Sequence, residues 1–287
     1  MFELLDPVVN GILLGGLYAV IGIGLSMVFG IMRQVNLAHG ELMIVASYFS
    51  LLTSQLLGFH PLLSFIFVVP AMFLFGYLIQ YVLFNRVIEK GMEPFLIISF
   101  GLSIMLQNAL LLAFTPDVRS LKTALIINSI DVYGLFQMPV IYLINFAISV
   151  LILGLLYLFM KKTYLGLAIH AVSNELSGAK MMGINTKTVY ASAMGIAAVT
   201  AAVSGVLVGM TFTFYPYSGT QYLIIAFGVV IVGGLGSLPG TFIGGMILGV
   251  SQLVGARVLG TGFQLLSGYI ILLLVLTIRP QGILGRR

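Results

Sequence analysis

Cysteine and tryptophan are absent from the 287 residues, and charge is scarce, with Lys, Arg, Asp and Glu making up 7% of the chain. Without cysteine there is no disulfide framework and no thiolate metal site. Without tryptophan, tyrosine has to supply any interfacial aromatic belt. Soluble domains carry about 25% charged residues, so this composition excludes a chain that stays dissolved in water. Three local motifs are also missing: the Gly-x-x-x-x-Gly-Lys-Ser/Thr phosphate loop, the His-Glu-x-x-His metal pair and the Gly-x-Ser-x-Gly nucleophile turn. Their absence removes nucleotide binding, metalloprotease chemistry and acyl transfer by those routes. His39, His60 and His170 stand far apart in sequence. No metal site, cofactor or catalytic residue is expected.

What is present is apolar. Hydrophobic residues make up 60% of the chain, mean hydropathy is +1.15, and several runs exceed the roughly 18 residues that mark a membrane span. Short alternating strands of the barrel kind do not occur. The fold class is therefore an all-α polytopic membrane protein, a single transmembrane domain over 1–287. Expected spans are Val8–Ile31, Leu42–Leu57, Leu62–Phe84, Pro94–Phe114, Pro139–Met160, Thr188–Met210 and a last one ending over Leu265–Ile278. Residues 115–138 read as a connector with turn chemistry at Pro116, Asp117, Asn128, Asp131 and Gly134. The Tyr-rich turn near Tyr215, Tyr217 and Tyr222 reads as part of the interfacial belt.

Residues 222–255 cannot be one helix, because Gly233, Gly234, Gly236, Pro239 and Gly240 interrupt them. Two short spans or a re-entrant pair are expected there, which brings the count to nine, within a range of eight to ten. Irregular backbone at that depth needs protein or a watery cavity around it. Gly240, Gly244, Gly245 and Gly249, like Gly11, Gly15 and Gly16, allow close helix approach.

Charge sets the orientation. Lys161, Lys162, Lys180 and Lys187 cluster in one loop, and Arg279, Arg286 and Arg287 end the chain, whereas Glu3 and Asp6 open it. Positive-inside bias then puts the N-terminus outside and both the 161–187 loop and the C-terminus in the cytoplasm. Within that loop Ile169, Val172, Leu176, Ala179 and Met182 recur at helical spacing, so Leu167 to Met182 reads as one amphipathic helix closed by Gly183. The plainer reading is a basic cytoplasmic loop. His39 and Glu41 flank Gly40 at the start of the second span. They line a pathway at a discontinuous helix, or they form a polar cap at the interface. Gln107 and Asn108 near the end of the fourth span read as interhelical hydrogen-bonding groups or pathway lining. No carboxylate is expected at mid-span, which counts against an ion-coupled carrier.

Several stretches together are similar to the permease subunits of branched-chain amino acid importers of the ATP-binding-cassette class, and the resemblance runs essentially end to end. They are Gly15-Gly16-Leu17-Tyr18-Ala19, Asn36-Leu37-Ala38-His39-Gly40-Glu41, Ala179-Lys180-Met181-Met182-Gly183-Ile184-Asn185, Gly233 through Gly240, and Arg279-Pro280-Gln281-Gly282-Ile283-Leu284-Gly285-Arg286. The chain resembles the shorter of that family's two paired permeases. The resemblance implies a prokaryotic inner-membrane translocation subunit without ATPase activity of its own, working by alternating access. Implied partners are two cytoplasmic ATP-binding subunits, a second permease and an extracytoplasmic solute-binding protein.

The resemblance also makes 161–187 a coupling loop. In the family's Glu-Ala-Ala, three residues, Gly pattern, Ala179 and Gly183 match and the Glu does not; Glu175 lies out of register, with Ser177 and Asn185 in the same stretch. Tyr18, Asn36, His39, Glu41, Gln107 and Asn108 are the pathway candidates. The alternatives are a related permease for urea, amides or simple sugars, an ATP-independent channel or secondary transporter, and a structural or assembly protein.

Overall fold

The computed structural model describes residues 4–32, 34–87, 90–123, 125, 128–132 and 136–285. Glu3, Gly134, Arg286 and Arg287, named above, lie outside the described residues. The helices are α1 (Leu5–Met32), α2 (His39–Leu57), α3 (Phe65–Val82), α4 (Met92–Phe114), α5 (Val140–Lys162), α6 (Tyr164–Asn174), α7 (Leu176–Met181), α8 (Thr186–Thr211), α9 (Gly219–Gly233), α10 (Leu238–Leu259) and α11 (Gln264–Ile278). Among the described residues, eight helical segments are long and apolar enough to cross a membrane, α11 together with the 3-10 turn Thr261–Phe263 before it making the last, of 18 residues, and α9 is a shorter apolar helix. The architecture is the all-α polytopic one expected. At 1.5 Å per residue the 15 residues of α9 reach about 22 Å, short of the hydrocarbon thickness of about 30 Å.

Two helices form the centre. In α1 and α8 the most apolar 18-residue window is 89% buried inside the protein, against 28% or less in α3, α4, α5, α10 and α11. The outer helices instead show large apolar side chains to their surroundings, among them Ile66, Ile97, Leu112 and Leu273, as a lipid-facing shell should. α1 packs along α10, and α8 along α3, α1 and α2. At the α1–α10 crossing a Cβ on Gly15 would run into the backbone of Met246, and one on Gly245 would lie 2.6 Å from the carbonyl oxygen of Gly15. Only glycine permits that approach, which brings the two backbones into van der Waals contact where lipid offers no hydrophobic drive.

The expected break lies between α9 and α10, and its residues have definite tasks. Gly234 and Gly236 take φ of 109° and 78°, the left-handed region that favours glycine. Ser237 caps α10 by accepting a hydrogen bond from the Gly240 amide at 3.2 Å, and Pro239 sits in the first turn, where no backbone donor is needed. The C-terminal tail closes the other end of the break. The amides of Ile283 and Leu284 donate to the carbonyls of Val232 and Gly233 at 2.9 and 3.0 Å, satisfying the acceptors that the end of α9 leaves open.

The connector is more structured than turn chemistry alone implies. Ser129–Val132 (β1) and Phe136–Pro139 (β2) pair antiparallel with Ser129 opposite Pro139. Arg119 and Phe214 exchange backbone hydrogen bonds at 2.8 Å, which ties the connector to the turn after α8. Tyr215 and Tyr217 are exposed, but Tyr222 is 5% exposed, so it belongs to the core rather than to an interfacial belt. It lies in the first turn of α9, which is seated inside the bundle.

Candidate functional site

The start of α2 is a buried polar element. Residues 34–38 leave the end of α1 without helical structure and turn back into the bundle. Asn36, fully buried, accepts the amide of Ala38 on its Oδ1 at 3.0 Å, and the His39 amide donates to the Asn36 carbonyl at 3.3 Å. Asn36 thus supplies acceptors for the orphan donors at the start of a helix whose cap residue, Ala38, has no side chain able to do so. His39, 1% exposed, pairs its Nε2 with the Ile21 carbonyl at 3.1 Å. Ile21 lies in the middle of the 28-residue α1. Gly24 of α1 faces both the His39 ring and Thr200, in the middle of α8. The second span therefore begins at the depth of the centres of its neighbours, as a discontinuous helix does, rather than as a cap at an interface.

Glu41 follows two residues later on another face, as the spacing requires. It is 1% exposed, its carboxyl group packs on Gly219, and its Oε2 is buried without a hydrogen-bond partner. Gly219 is the first residue of α9. The carboxylate sits in the first turn of its own helix and against the first residue of another, and both positions carry the positive end of a helix dipole. Gly40 makes the crossing possible, because a Cβ there would meet the Gly219 carbonyl. Among the described residues no carboxylate stands in the middle of a span, as expected, and Glu41 is the third residue of α2. Sequence position marks Glu41 as the end of a span, but the inward turn of 34–38 carries that end to the middle of the bundle.

The remaining pathway candidates are dispersed. Tyr18 donates from its hydroxyl to Gln252 Oε1 at 2.7 Å, a buried bond across the tightly packed α1–α10 pair. Gln252 escaped notice in the sequence, where a lone glutamine on an apolar helix is its signal. Gln107 is half-buried on α4, and Asn108 is exposed with its amide bonded to the Ile104 carbonyl of its own helix at 2.8 Å. Neither reaches the His39–Glu41 cluster. Interhelical bonds form through other residues, among them Asn145 Nδ2 to Thr211 Oγ1 at 2.9 Å and Ser47 Oγ to the Gly205 carbonyl at 2.7 Å.

At one end of the bundle the 161–187 segment forms an elbow of two helices, which corrects the single amphipathic helix. Glu175 takes extended backbone angles (φ −148°, ψ 99°) and accepts the Ser177 amide at 3.3 Å, so it ends α6 and caps α7. The break turns the apolar stripe. Ile169, Val172 and Ala179 are buried, whereas Met182 is 83% exposed, beside Met181 at 88%. The turn closes as a Schellman motif. The Gly183 amide bonds to the Lys180 carbonyl at 3.0 Å and the Ile184 amide to the Ala179 carbonyl at 3.1 Å, with Gly183 at φ 78°. Asn185 then caps α8 through the Thr188 amide at 3.3 Å. Ser173 of α6 donates to the Gly30 carbonyl of α1 at 2.7 Å. The elbow is thus joined at one end to the central helix α1 and leads at the other into the central helix α8. Ser177, Glu175, Asn185 and Gly183 are exposed, and Ala179 is buried beneath them.

A family described as branched-chain amino acid transport system, permease component, matches residues 8–278. The chain is 34% identical to the high-affinity branched-chain amino acid transport system permease protein BraD of Pseudomonas aeruginosa, over 100% of this chain and 97% of that protein. It is 33% identical to the high-affinity branched-chain amino acid transport system permease protein LivH of Escherichia coli K12, over 98% of this chain and 96% of that protein. Similarity to the fructose import permease protein FrcC of Rhizobium meliloti is lower, 25% over 84% of this chain and 69% of that protein. No solved structure matches.

Proposed function

The chain belongs to the branched-chain amino acid transport system permease family, and on that premise we propose that it is the membrane-spanning subunit of an ATP-driven importer of branched-chain or other hydrophobic amino acids. The observation that carries the reading is the elbow. Met181 and Met182 stand almost fully exposed among Lys161, Lys162, Lys180 and Lys187, and large apolar side chains on a water-facing basic segment mark a surface that a partner covers. That partner is an ATP-binding subunit, two per importer. A rigid push on α7 reaches the bundle through α8 and through the Ser173–Gly30 contact with α1. The chain hydrolyses nothing itself.

The described basic residues at the elbow end include Arg86, Lys161, Lys162, Lys187 and Arg279, whereas at the opposite end Arg119 and Arg257 stand with Asp6, Asp117 and Asp131, and this excess of positive charge supports a cytoplasmic elbow and C-terminus with the N-terminus outside. A second, longer permease completes the membrane unit, and an extracytoplasmic binding protein delivers the amino acid. α2 and α9, whose starts meet at Glu41, form the moving boundary of the pathway. Tyr18 and Asn36 hold its walls. One observation favours a second reading: a buried carboxylate at mid-depth is what a proton-coupled carrier uses.

Purification of the chain in mild detergent from its native membrane tests the first reading. Co-purification of an ATP-binding protein and a second permease supports it. A chain that arrives alone and moves leucine in vesicles without ATP would establish the carrier.

A further inference from the structure

At the elbow end of the bundle, the last turns of α1 and α5, the elbow helix α6 and the break between α9 and α10 line a cavity of about 510 Å³. Small-molecule sites fall in this size range. Its polar lining has one sign. Lys161, His170 and Asn174 bring donors to it, and among the described residues no carboxylate lines it. The Lys161 ammonium lies 5.8 Å from the centre of the Tyr157 ring, within reach of the ring's negative face, and among the described residues it forms no ion pair. The rest of the opening is apolar. Tyr157, Leu167, Leu235 and Leu284 all line the cavity, and each is between 45% and 57% exposed.

A small hydrated anion gains nothing from an apolar rim, whereas an anion that carries hydrocarbon gains from both parts of this lining. The outer face of α5 continues the apolar part. Leu151, Leu155 and Leu158 are exposed and recur every three or four residues, on one side of the helix. From Leu151 to Lys161 α5 rises about 15 Å, which is one leaflet of a hydrocarbon core about 30 Å thick. We propose that the cavity holds the headgroup of an anionic phospholipid from the leaflet at the elbow end, with its phosphate at Lys161 and its acyl chains along the outer face of α5. An ionised phosphodiester offers acceptors only, which matches a lining of ammonium, imidazole and amide donors. Basic pockets between membrane helices take headgroups of this kind. The bound headgroup touches α5, α6 and the break together, so it ties the elbow to the bundle beside the Ser173–Gly30 contact. The site needs only the membrane-spanning bundle and goes beyond the importer reading.

The test is native mass spectrometry of the full chain with its subunits, purified in mild detergent and titrated with lipid. Probes are dioleoylphosphatidylglycerol, dioleoylphosphatidylcholine, which has the same chains without net charge, and glycerol phosphate, which has no chains. Expected is one phosphatidylglycerol bound well ahead of phosphatidylcholine, and weakened about fivefold in Lys161→Gln. Lys162→Gln removes a neighbouring charge that does not line the cavity and should keep the affinity within about twofold. Lys161 and Lys162 are both exposed, so neither variant disturbs the core. Phosphatidylglycerol should also raise the melting temperature of wild type and not that of Lys161→Gln. Equal phosphatidylglycerol affinity in wild type and Lys161→Gln would overturn the site. An equal loss in Lys162→Gln would overturn it too, by reducing the effect to general surface charge. Glycerol phosphate bound as tightly as phosphatidylglycerol would replace the lipid with a soluble anion. Absence of a phosphatidylglycerol complex in wild type would also refute the proposal; if Lys161→Gln then loses an ATP-binding subunit, the cavity is a subunit-docking surface.

Discussion

Substitutions at Gly183 separate the backbone of the elbow from its surface. Gly183 holds φ 78° at the close of α7, and a Cβ built there meets nothing within 4 Å. An ordinary L-residue in left-handed geometry costs about 1–2 kcal/mol, and asparagine tolerates it. The helix that this turn closes has six residues, too short to stand alone, so that cost shifts the elbow's own equilibrium by a factor of about 5–30. Gly183→Asn should leave ATPase activity stimulated by binding protein and leucine within about twofold of wild type. Gly183→Ala should lower it several-fold through backbone strain alone. Gly183→Arg carries the same strain and also sets a long cation beside Met182, on the face assigned to the ATPase. It should abolish co-purification of the ATP-binding subunit while the permease still elutes as a folded species. The assays are stimulated ATPase activity in nanodiscs and subunit stoichiometry after purification. Full activity of Gly183→Arg would refute the docking face, and an Asn variant as weak as the Arg variant would refute the φ reasoning.

Three further outcomes are expected. Tyr18→Phe strands the buried Gln252 acceptor and should destabilise the purified protein by about 1–3 kcal/mol, whereas Tyr18→Phe with Gln252→Leu removes both partners and should recover most of the loss; a melting curve for each reads this directly. Gly219→Ala places a methyl group where the Glu41 carboxyl group lies, so uptake should fall at least about tenfold with assembly retained; unchanged uptake would remove Glu41 from the moving boundary. Deleting the chain from Gln281 onward uncaps Val232 and Gly233 and should lower the melting temperature without changing the pairing of α1 with α10; an unchanged melting temperature would show the tail to be dispensable.

Much of the architecture is legible in the sequence because lipid leaves a span few choices. Apolar runs of the right length became helices within a few residues of their expected ends, and the glycine-rich break at 233–240 became a turn. Local capping was harder to see. Glu175 splits the 161–187 helix because its side chain can satisfy an amide two residues on, a local competition that apolar spacing does not register. Depth was harder still. Asn36-Leu37-Ala38-His39-Gly40-Glu41 reads equally well as an interfacial cap or as a buried start. Only the inward return of 34–38, fixed by contacts to Ile21, Gly24 and Gly219, separates the two. Asn10 meets the hairpin at Gln137, and Tyr18 meets Gln252 of α10, through contacts more than a hundred residues apart that no local pattern announces.

The most direct test is leucine uptake by proteoliposomes containing this chain, its second permease and its ATP-binding subunits, with binding protein outside and ATP inside. Uptake should require both ATP and binding protein, persist with a proton ionophore, and discriminate against fructose and urea. Leucine entry driven by a proton gradient through this chain alone would contradict ATP coupling and make Glu41 the centre of a carrier.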